Sequence, residues 1–210
     1  SSTIFVKSGT YKLKLPLVIT KSMTIVGQDR DNVIFQMNSN FNWLFNITAP
    51  DVTIDSVTMT CGKNPKAGRI IISAIQVKST GCVVRNCKIE RTDRIAVEII
   101  QEGQAVIEKC LFRGNDEGIV CENGKLVVKE SFIGGSLKKG IRLCAKSDSL
   151  VDNNIIRNNG KYGIDCYSNA ACLLSNNVVS GNKATGIIVR NTAAKVEISN
   201  NRSFNNKDFG

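Results

Sequence analysis

The chain has 210 residues, of which 42% are hydrophobic, so it is long enough for one well-buried core and short for two. Its 28 basic and 18 acidic residues give a net charge of +10, which favours anionic partners. No apolar run approaches the roughly 18 residues of a membrane span, and the longest basic run is Lys138-Lys139 without interleaved aromatics. These features argue against a membrane span and make nucleic acid a poor candidate partner.

The first sixty residues consist of short runs of β-forming residues separated by Gly, Asp, Asn and Lys. Runs of three to five such residues between turn residues predict strands joined by tight corners. No segment has the length and periodicity of a capped helix, so we expect little or no α-helix. The predicted strands are Ile4-Phe5-Val6, Leu15 to Ile19, Met23 to Val26, Val33-Ile34-Phe35, Trp43 to Ile47, Val52-Thr53-Ile54 and Asp55 to Met59.

An insertion interrupts this rhythm between Cys61 and Arg69. The step from Ile54 to Val84 is 30 residues, against 22 or 23 for most equivalent steps that follow. Insertions in repeat proteins become loops on one face, often the working face. We therefore predict a loop over 61–69 whose cations Lys63, Lys66 and Arg69 are candidate binding residues. A loop without function is the alternative.

From Ser73 onward, two phrases recur together with a period of 21 to 24 residues. Two phrases locked at one period indicate a stack of similar units. The first phrase is Gly118-Ile119-Val120-Cys121, Gly140-Ile141-Arg142-Leu143, Gly163-Ile164-Asp165-Cys166 and Gly186-Ile187-Ile188-Val189. The second includes Val84-Arg85-Asn86-Cys87, Ile107-Glu108-Lys109-Cys110, Val151-Asp152-Asn153-Asn154, Leu174-Ser175-Asn176-Asn177 and Ile198-Ser199-Asn200-Asn201.

A unit of this length, with three short strands, closes one triangular coil. Stacking places equivalent residues one strand spacing apart, about 4.8 Å, in parallel strands. Side-chain alternation then predicts two inward apolar columns, beginning at Ile75 and Val77, and one outward column between them. The outward column contains Gln76, Glu98, Val120, Arg142, Asp165 and Ile188. The predicted fold is an all-β parallel solenoid of about 8 to 9 coils, with residues 1–210 as a single domain and a piece of a longer chain.

Asparagine pairs recur at the corner after the second phrase. Asn tolerates a left-handed backbone, and its side-chain amide can hydrogen-bond the next Asn along a stack. We predict a structural ladder without a binding role, formed by Asn153, Asn154, Asn176, Asn177, Asn200 and Asn201.

The asparagine ladder, the Gly-Ile strand starts and the opening Ile4 to Tyr11 resemble the right-handed parallel β-helix of the pectin-lyase-like superfamily. The resemblance covers essentially the whole chain and implies the fold without implying one activity, because the group includes lyases, hydrolases, phage tailspikes and non-enzymatic domains. Within it, the chain resembles the β-helix domains of intracellular adaptors. These are the Shc-binding-protein/Nessun Dorma family linked to cytokinesis and certain F-box proteins.

Eight cysteines lie inside the repeated strands, where they are expected as small buried apolar side chains. Reduced thiols favour a cytoplasmic setting over a secreted one. Stacking brings Cys87 close to Cys110, so a bridge between these two stays open.

The sequence offers no pair of carboxylates at the spacing that glycoside hydrolysis requires. Glu98 and Asp165 lie three coils apart, roughly 14 Å from the strand spacing, which exceeds the separation that glycosidases use. Arg142 lies between them and suggests a charge ladder within the column. Histidine is absent from the chain, so the histidine motif of related hydrolases is absent too.

Lyases of this fold resemble one another in holding Ca²⁺ with aspartates near a basic residue. Asp116, Glu117 and Glu122 form a compact acidic group. However, Lys138-Lys139 and Lys161-Tyr162 stand at the equivalent places of the next coils, where cations would neutralise these acids. We therefore expect no metal, no cofactor and no catalytic residue.

The remaining possibility is a binding surface. Solenoids present long faces, and basic residues that recur on one side can follow an extended acidic partner. The candidate binding residues are Lys63, Lys66, Arg69, Arg113, Lys138, Lys139, Arg142, Lys161 and Lys183. We expect a non-catalytic scaffold of a larger intracellular protein that binds an acidic protein or a glycan. The alternatives are a secreted Ca²⁺-dependent polysaccharide lyase and a viral or phage adhesin.

Overall fold

A computed structural model describes residues 2–37, 42–61, 73–92 and 94–209. The predicted loop over 61–69 lies outside these ranges except for its first residue. The candidate cations Lys63, Lys66 and Arg69 therefore also lie outside the described residues.

Within the described residues the chain forms 26 strands in three parallel sheets and no helix. Sheet A contains β1 (Ser2–Val6), β4 (Met23–Gly27), β7 (Thr53–Asp55), β10 (Cys82–Arg85), β13 (Gln104–Glu108), β16 (Lys125–Lys129), β19 (Asp148–Asp152), β22 (Ala171–Ser175) and β25 (Val196–Ser199). Sheet B contains β2 (Gly9–Leu13), β5 (Val33–Met37), β8 (Thr58–Cys61), β11 (Lys88–Glu90), β14 (Leu111–Arg113), β17 (Phe132–Gly134), β20 (Ile155–Arg157), β23 (Val178–Ser180) and β26 (Arg202–Phe204). Sheet C contains β3 (Leu17–Ile19), β6 (Trp43–Ile47), β9 (Ser73–Val77), β12 (Ile95–Ile99), β15 (Glu117–Glu122), β18 (Ile141–Cys144), β21 (Ile164–Tyr167) and β24 (Ile187–Arg190).

Every strand pairs in parallel with its equivalent one coil away. In sheet C, Ile119 lies opposite Ile141, and Ile164 lies opposite Ile187, so the Gly-Ile phrase is in register with itself. The predicted solenoid fold is confirmed: the chain makes one strand of each sheet in turn and then begins the next coil.

The core runs along the inside of the solenoid. The predicted inward column of Ile75, Val97, Ile119, Ile141 and Ile164 is fully buried. Burial of such side chains stabilises a fold by about 1.5 to 3 kcal/mol each, which is the main favourable contribution to folding. The repeat therefore fixes both the register and the buried core.

The asparagine pairs at the corner between sheets A and B divide two tasks between them. Asn153, Asn176 and Asn200 have left-handed backbones, with φ of 53°, 55° and 53°. The second member of each pair points inward and forms the ladder: the backbone N–H and the side-chain amide of Asn154 donate to Asn177 Oδ1 at 3.0 Å, and those of Asn177 donate to Asn201 Oδ1 at 2.9 Å. The first residue of each pair turns the chain, and the second hydrogen-bonds the polar groups of the corner, so only the second residues form the ladder.

Cys87, Cys110 and Ser131 hold the ladder position in the earlier coils. The thiols donate to backbone carbonyls of the preceding coil, Cys87 to Ile54 at 3.6 Å and Cys110 to Val84 at 3.4 Å. Both thiols are free, so no bridge joins Cys87 and Cys110. Hydrogen bonding of the corner carbonyls explains why a thiol or hydroxyl can stand where later coils use asparagine.

A second ladder, which the sequence analysis did not predict, lies at the corner between sheets B and C. Asn159 donates to Asn182 Oδ1 at 3.0 Å, and Asn182 donates to Asn206 Oδ1 at 2.8 Å. Asn115 holds the same corner two coils earlier and bonds the Ile89 carbonyl at 3.1 Å. This ladder fixes the turns that carry side chains onto the outer face of sheet C.

Candidate binding face

The outer face of sheet C carries three neighbouring columns of polar and aromatic side chains. Strand alternation directs the second and third columns outward, and the second column is the one predicted from the sequence. The first column lies at the start of each strand, where alternation does not fix the direction. The glycines between the first column and the strand allow close packing, since a Cβ on Gly140 would lie 2.7 Å from the Gly163 carbonyl oxygen. We call the following set the sheet C face: Glu117, Lys139 and Tyr162 in the first column, Arg142 and Asp165 in the second, and Tyr167 and Arg190 in the third.

Asp165 is the buried anchor of the sheet C face. Its side chain is 0% exposed, and its carboxylate accepts hydrogen bonds from Lys139 Nζ at 2.8 Å and from Arg190 Nε and Nη2 at 3.1 and 2.8 Å. Burial by itself would raise the pKa of Asp165, but the hydrogen bonds from Arg190 and Lys139 outweigh it and lower the pKa below its ordinary value. Asp165 is therefore an ionised carboxylate that positions two cations.

Glu117 and Arg142 form a second ion pair on the parallel diagonal one coil earlier, with Arg142 Nε 3.0 Å from Glu117 Oε2. Burial opposes the charge of Arg142, but the carboxylate of Glu117 and a hydrogen bond with Tyr167 raise the pKa of Arg142 above its ordinary value. The guanidinium is thus held charged in a mostly buried position.

The expected charge ladder of Glu98, Arg142 and Asp165 within one column is wrong. Arg142 pairs with Glu117 of the neighbouring column, and Glu98 accepts a hydrogen bond from Gln76 at 2.8 Å. Asp165, the neighbour of Arg142 in its own column, is bound instead by Lys139 and Arg190. The ion pairs therefore run diagonally across the coils.

Tyr167 lies between two cations of the sheet C face. Lys139 Nζ lies 5.4 Å from the centroid of its ring, and Arg190 Cζ lies 4.7 Å from it. Arg190 also lies 5.9 Å from the ring of Tyr162, over which Lys161 Nζ lies at 4.9 Å. Such contacts are typical cation–π geometry. Lys139 is only 14% exposed and Arg190 is 41% exposed, so Arg190 is the cation of this pair that a ligand can reach.

The structure separates the candidate cations predicted from the sequence. Lys139 and Arg142 belong to the sheet C face, and Lys161 borders it. Lys138 is in the turn beside Lys161, and the backbone N–H of Lys161 donates to the Lys138 carbonyl. The side chain of Lys138 pairs with Asp116 at 2.8 Å. Lys183 is exposed in the equivalent turn of a later coil. Arg113 ends a strand of sheet B, where it and Arg157 lie over the ring of Phe132 at 5.6 and 5.2 Å.

Five residues of the sheet C face were not predicted as site residues. Glu117 and Asp165 were weighed as acidic residues and set aside, and Tyr162, Tyr167 and Arg190 were not considered. Their signal in the sequence is weak, because each lies at the edge of the Gly-Ile phrase and differs from its equivalents in other coils. The step of 25 residues from Asp165 to Arg190 equals the step from Glu117 to Arg142, and this shared diagonal offset is visible only once the columns are assigned.

The predicted acidic group is distributed among ion pairs. Asp116 binds Lys138, as expected, but Glu117 binds Arg142 and not the expected Lys139, which binds Asp165. In the described part of the chain, no group of three or more His, Cys, Asp or Glu side chains is arranged to hold a metal ion. The same ranges contain no helix long and apolar enough to cross a membrane.

Comparison with protein families identifies the chain. The family described as right-handed β-helix region matches residues 73–210, which is more than half of the chain. The chain belongs to the right-handed β-helix family. No curated protein matches the sequence of this β-helix.

Three solved structures similar to this chain are named as a pectate lyase, an alginate lyase and a glucanase. The β-helix is similar to pectate lyase Pel9A, with a TM-score of 0.73, 12% identity, and coverage of 95% of this chain and 69% of the lyase. It is also similar to the PL6 family alginate lyase AlyGC, with a TM-score of 0.69, 13% identity and coverage of 96% and 36%. The catalytic domain of a GH87 α-1,3-glucanase gives a TM-score of 0.56, 12% identity and coverage of 94% and 49%.

These likenesses show the pectin-lyase-like fold and no activity, because the identities are low. The chain spans only about a third of the alginate lyase and about half of the glucanase domain. None of the three similar structures is an intracellular adaptor, so they lend no support to the narrower resemblance expected from the sequence.

Proposed function

We propose that this right-handed β-helix is a binding scaffold for an anionic glycan, which lies along the outer face of sheet C. The observation that carries the proposal is the arrangement around Tyr167, where Lys139 and Arg190 lie at the ring and Asp165 holds both cations. A site whose cations are fixed before the ligand arrives loses less conformational entropy on binding.

An anionic ligand is favoured by the balance of charge. Four cations, Lys139, Arg142, Lys161 and Arg190, stand against two carboxylates, Asp165 and Glu117, which are already enclosed in ion pairs. Lys139 and Arg142 are only 14% and 20% exposed, so Arg190 and Lys161 carry the positive charge that faces solvent, and the net charge of +10 adds to it. Arg190 uses Nε and Nη2 on Asp165, which leaves Nη1 for a ligand carboxylate.

A glycan is favoured over a peptide by two considerations. Tyr162 and Tyr167 present rigid rings with polar tips beside the cations, which suits a ligand that is apolar on one side and polar at its edge. The structures with the same fold are named for polysaccharide lyases and a glucanase. An acidic peptide in a cytoplasmic adaptor remains the competing occupant, and a polyglutamate probe distinguishes it.

The test is calorimetric titration with oligogalacturonate, with neutral dextran and polyglutamate as comparison probes. We expect binding to oligogalacturonate that weakens with salt and no binding to dextran. Arg190→Gln should weaken binding at least tenfold, because Lys139 still holds Asp165 while the exposed guanidinium is lost. The matched control Arg202→Gln, whose side chain lies over Phe204 on sheet B, should bind as the wild type does.

Absence of uronate binding, or equal losses in the Arg190 and Arg202 variants, would reject the proposed site. Equal binding of polyglutamate would favour an acidic protein partner. The lyase alternative is tested in the same samples: with Ca²⁺ present, the appearance of unsaturated uronate ends by ultraviolet absorbance would show turnover and replace the scaffold hypothesis.

A further inference from the structure

We propose that a second copy of this chain docks, inverted, on the outer face of sheet A. That face carries an unbroken column of outward apolar side chains on five consecutive strands, β10 to β22, formed by Val83, Val106, Val127, Leu150 and Leu173. They line a shallow groove of about 580 Å³, and Leu173 is 38% exposed. An apolar column of this length on a solvent-facing sheet is a feature of interaction surfaces.

Charges frame the apolar column in a self-complementary pattern. The outward residues of β16 are Lys125, Val127 and Lys129, and those of the adjacent β19 are Asp148, Leu150 and Asp152. A strand flanked by two cations therefore lies beside a strand flanked by two carboxylates. A second copy in the inverted orientation matches both strands at once.

The symmetry that follows is a two-fold axis parallel to the strands and midway between β16 and β19. This rotation packs the sheet A of one copy against the sheet A of the other and reverses the order of the coils. Positions along the strands are unchanged, so the first residue of a strand faces the first residue of its partner strand and the last faces the last. Lys125 then faces Asp148 of the second copy, Lys129 faces its Asp152, and Val127 faces its Leu150. Each contact occurs twice, as a two-fold interface requires.

Further from the axis, the same rotation places Val83 of β10 opposite Glu197 of β25, so the apolar contacts are confined to the four strands β13 to β22. Val106 of β13 faces Leu173 of the second copy, and Glu108 faces its Ser175. Arg85 of β10 faces Ser199 of β25. No pair of like charges meets along these strands, so the pattern does not oppose the inverted arrangement.

The key charges are available for a partner. Lys125 and Asp148 are exposed and in register on adjacent strands, yet neither forms an ion pair within 4.0 Å among the described residues. Asp152 also has no ion pair in those ranges and is bonded only by Ser175 and Asn176. Lys129 is bound by Glu108 at 3.1 Å but remains 41% exposed.

The size of the face predicts a weak dimer. The six strands from β10 to β25, at about 4.8 Å each, and five residues at about 3.4 Å cover roughly 500 Å² per copy, which is below the roughly 800 Å² per partner of stable complexes. We expect a dissociation constant of about 0.1 mM, at the weak end of specific association.

The experiment is analytical ultracentrifugation of the purified 210-residue chain up to about 1 mM, at low and high salt. The wild type should show a monomer–dimer equilibrium that weakens as salt screens the charge pairs. One variant carries Lys125→Glu with Lys129→Glu and the other carries Asp148→Lys with Asp152→Lys. Each alone should raise the dissociation constant at least tenfold, because the facing charges become alike.

Mixing the two variants is the decisive measurement. In the mixed pair every facing charge is again opposite, so a heterodimer should form with nearly the wild-type dissociation constant. Repulsion between neighbouring strands within each copy is the same alone and in the mixture, so a folding defect cannot mimic this recovery. Circular dichroism and thermal unfolding check the fold of each variant. A wild type that stays monomeric to about 1 mM, variants that still dimerise alone, or a mixture that stays monomeric would overturn the proposal.

Discussion

Asp165 shows how a single residue of the repeat takes on a different role from its equivalents. The same position holds Val120 two coils earlier and Ile188 one coil later. A buried carboxylate is costly unless it is paired and hydrogen-bonded. Asp165 has three hydrogen bonds from two cations, so the cost of burial is offset and the cations become ordered.

Replacing Asp165 therefore tests this arrangement directly. Asp165→Asn should lower the free energy of unfolding by about 2 to 3 kcal/mol, because two charge-assisted interactions are lost while the shape is kept. Urea unfolding at pH 7 measures it. The control Asp31→Asn removes a carboxylate that is 57% exposed and should change stability by less than about 0.5 kcal/mol. Similar effects of the two substitutions would contradict the anchoring role of Asp165.

The difference in unfolding free energy between the wild type and Asp165→Asn should depend on pH. The pKa of Asp165 is lowered below its ordinary value of 3.8 in the folded chain. Its contribution is therefore fully present above the unfolded value and is lost as the pH falls through the folded value. The stability gap between wild type and Asp165→Asn should be constant above about pH 5 and shrink below about pH 4. A gap that grows on acidification would refute the assigned ion pairs.

At the scale of the element, the corners between sheets determine how the strands stack. Asn177 accepts from the N–H and the amide of Asn154 and donates to Asn201 and to the Val151 carbonyl. Its removal leaves several buried polar groups without partners. A buried ladder of this kind joins consecutive coils as a backbone hydrogen bond joins strands.

We predict a graded response at this corner. Asn177→Ala should cost about 3 kcal/mol of unfolding free energy, since several buried hydrogen bonds are lost together. Asn177→Ser should cost less, because Ser131 bonds the same corner two coils earlier. The control Asn176→Gly keeps the left-handed backbone and should cost less than about 1 kcal/mol. Equal losses in all three variants, measured by urea unfolding, would disprove the division of tasks within the pair.

At the scale of the whole molecule, sheets A and C are different sides of the same triangular coils. The two proposed surfaces therefore do not overlap, and a dimer through sheet A leaves both sheet C faces free. Two linked binding faces increase the apparent affinity for a long polymer without any new contact.

This predicts a difference between long and short ligands that rests on both proposals. Lys125→Glu with Lys129→Glu should weaken binding of long polygalacturonate by at least tenfold at protein concentrations that favour the dimer, while oligogalacturonate binds as to the wild type. Fluorescence anisotropy of labelled ligands measures both. Equal weakening for the two lengths would mean that the substitutions disturb the sheet C face itself. If neither ligand binds more weakly, dimer formation does not contribute to glycan binding.

The sequence by itself determined the fold because the structure is periodic. A fixed step of 21 to 24 residues places equivalent residues one strand spacing apart, so inward columns, register and the first asparagine ladder follow from the spacing alone. The second ladder had the same signal, since Asn159, Asn182 and Asn206 repeat at 23 and 24 residues. It escaped prediction because polar residues near Gly and Lys also indicate an ordinary turn.

Only the tertiary structure decided which side chains meet on the sheet C face. The sequence pattern placed Arg142 in one column with Glu98 and Asp165, but Arg142 pairs with Glu117 of the neighbouring column, while Lys139 and Arg190 bind Asp165. The burial of Asp165 and the placement of Tyr167 between Lys139 and Arg190 depend on side-chain reach across coils. Periodicity fixes where each Cα lies, but contacts between unlike residues of neighbouring columns are set by side-chain length and rotamer, which the repeat does not encode.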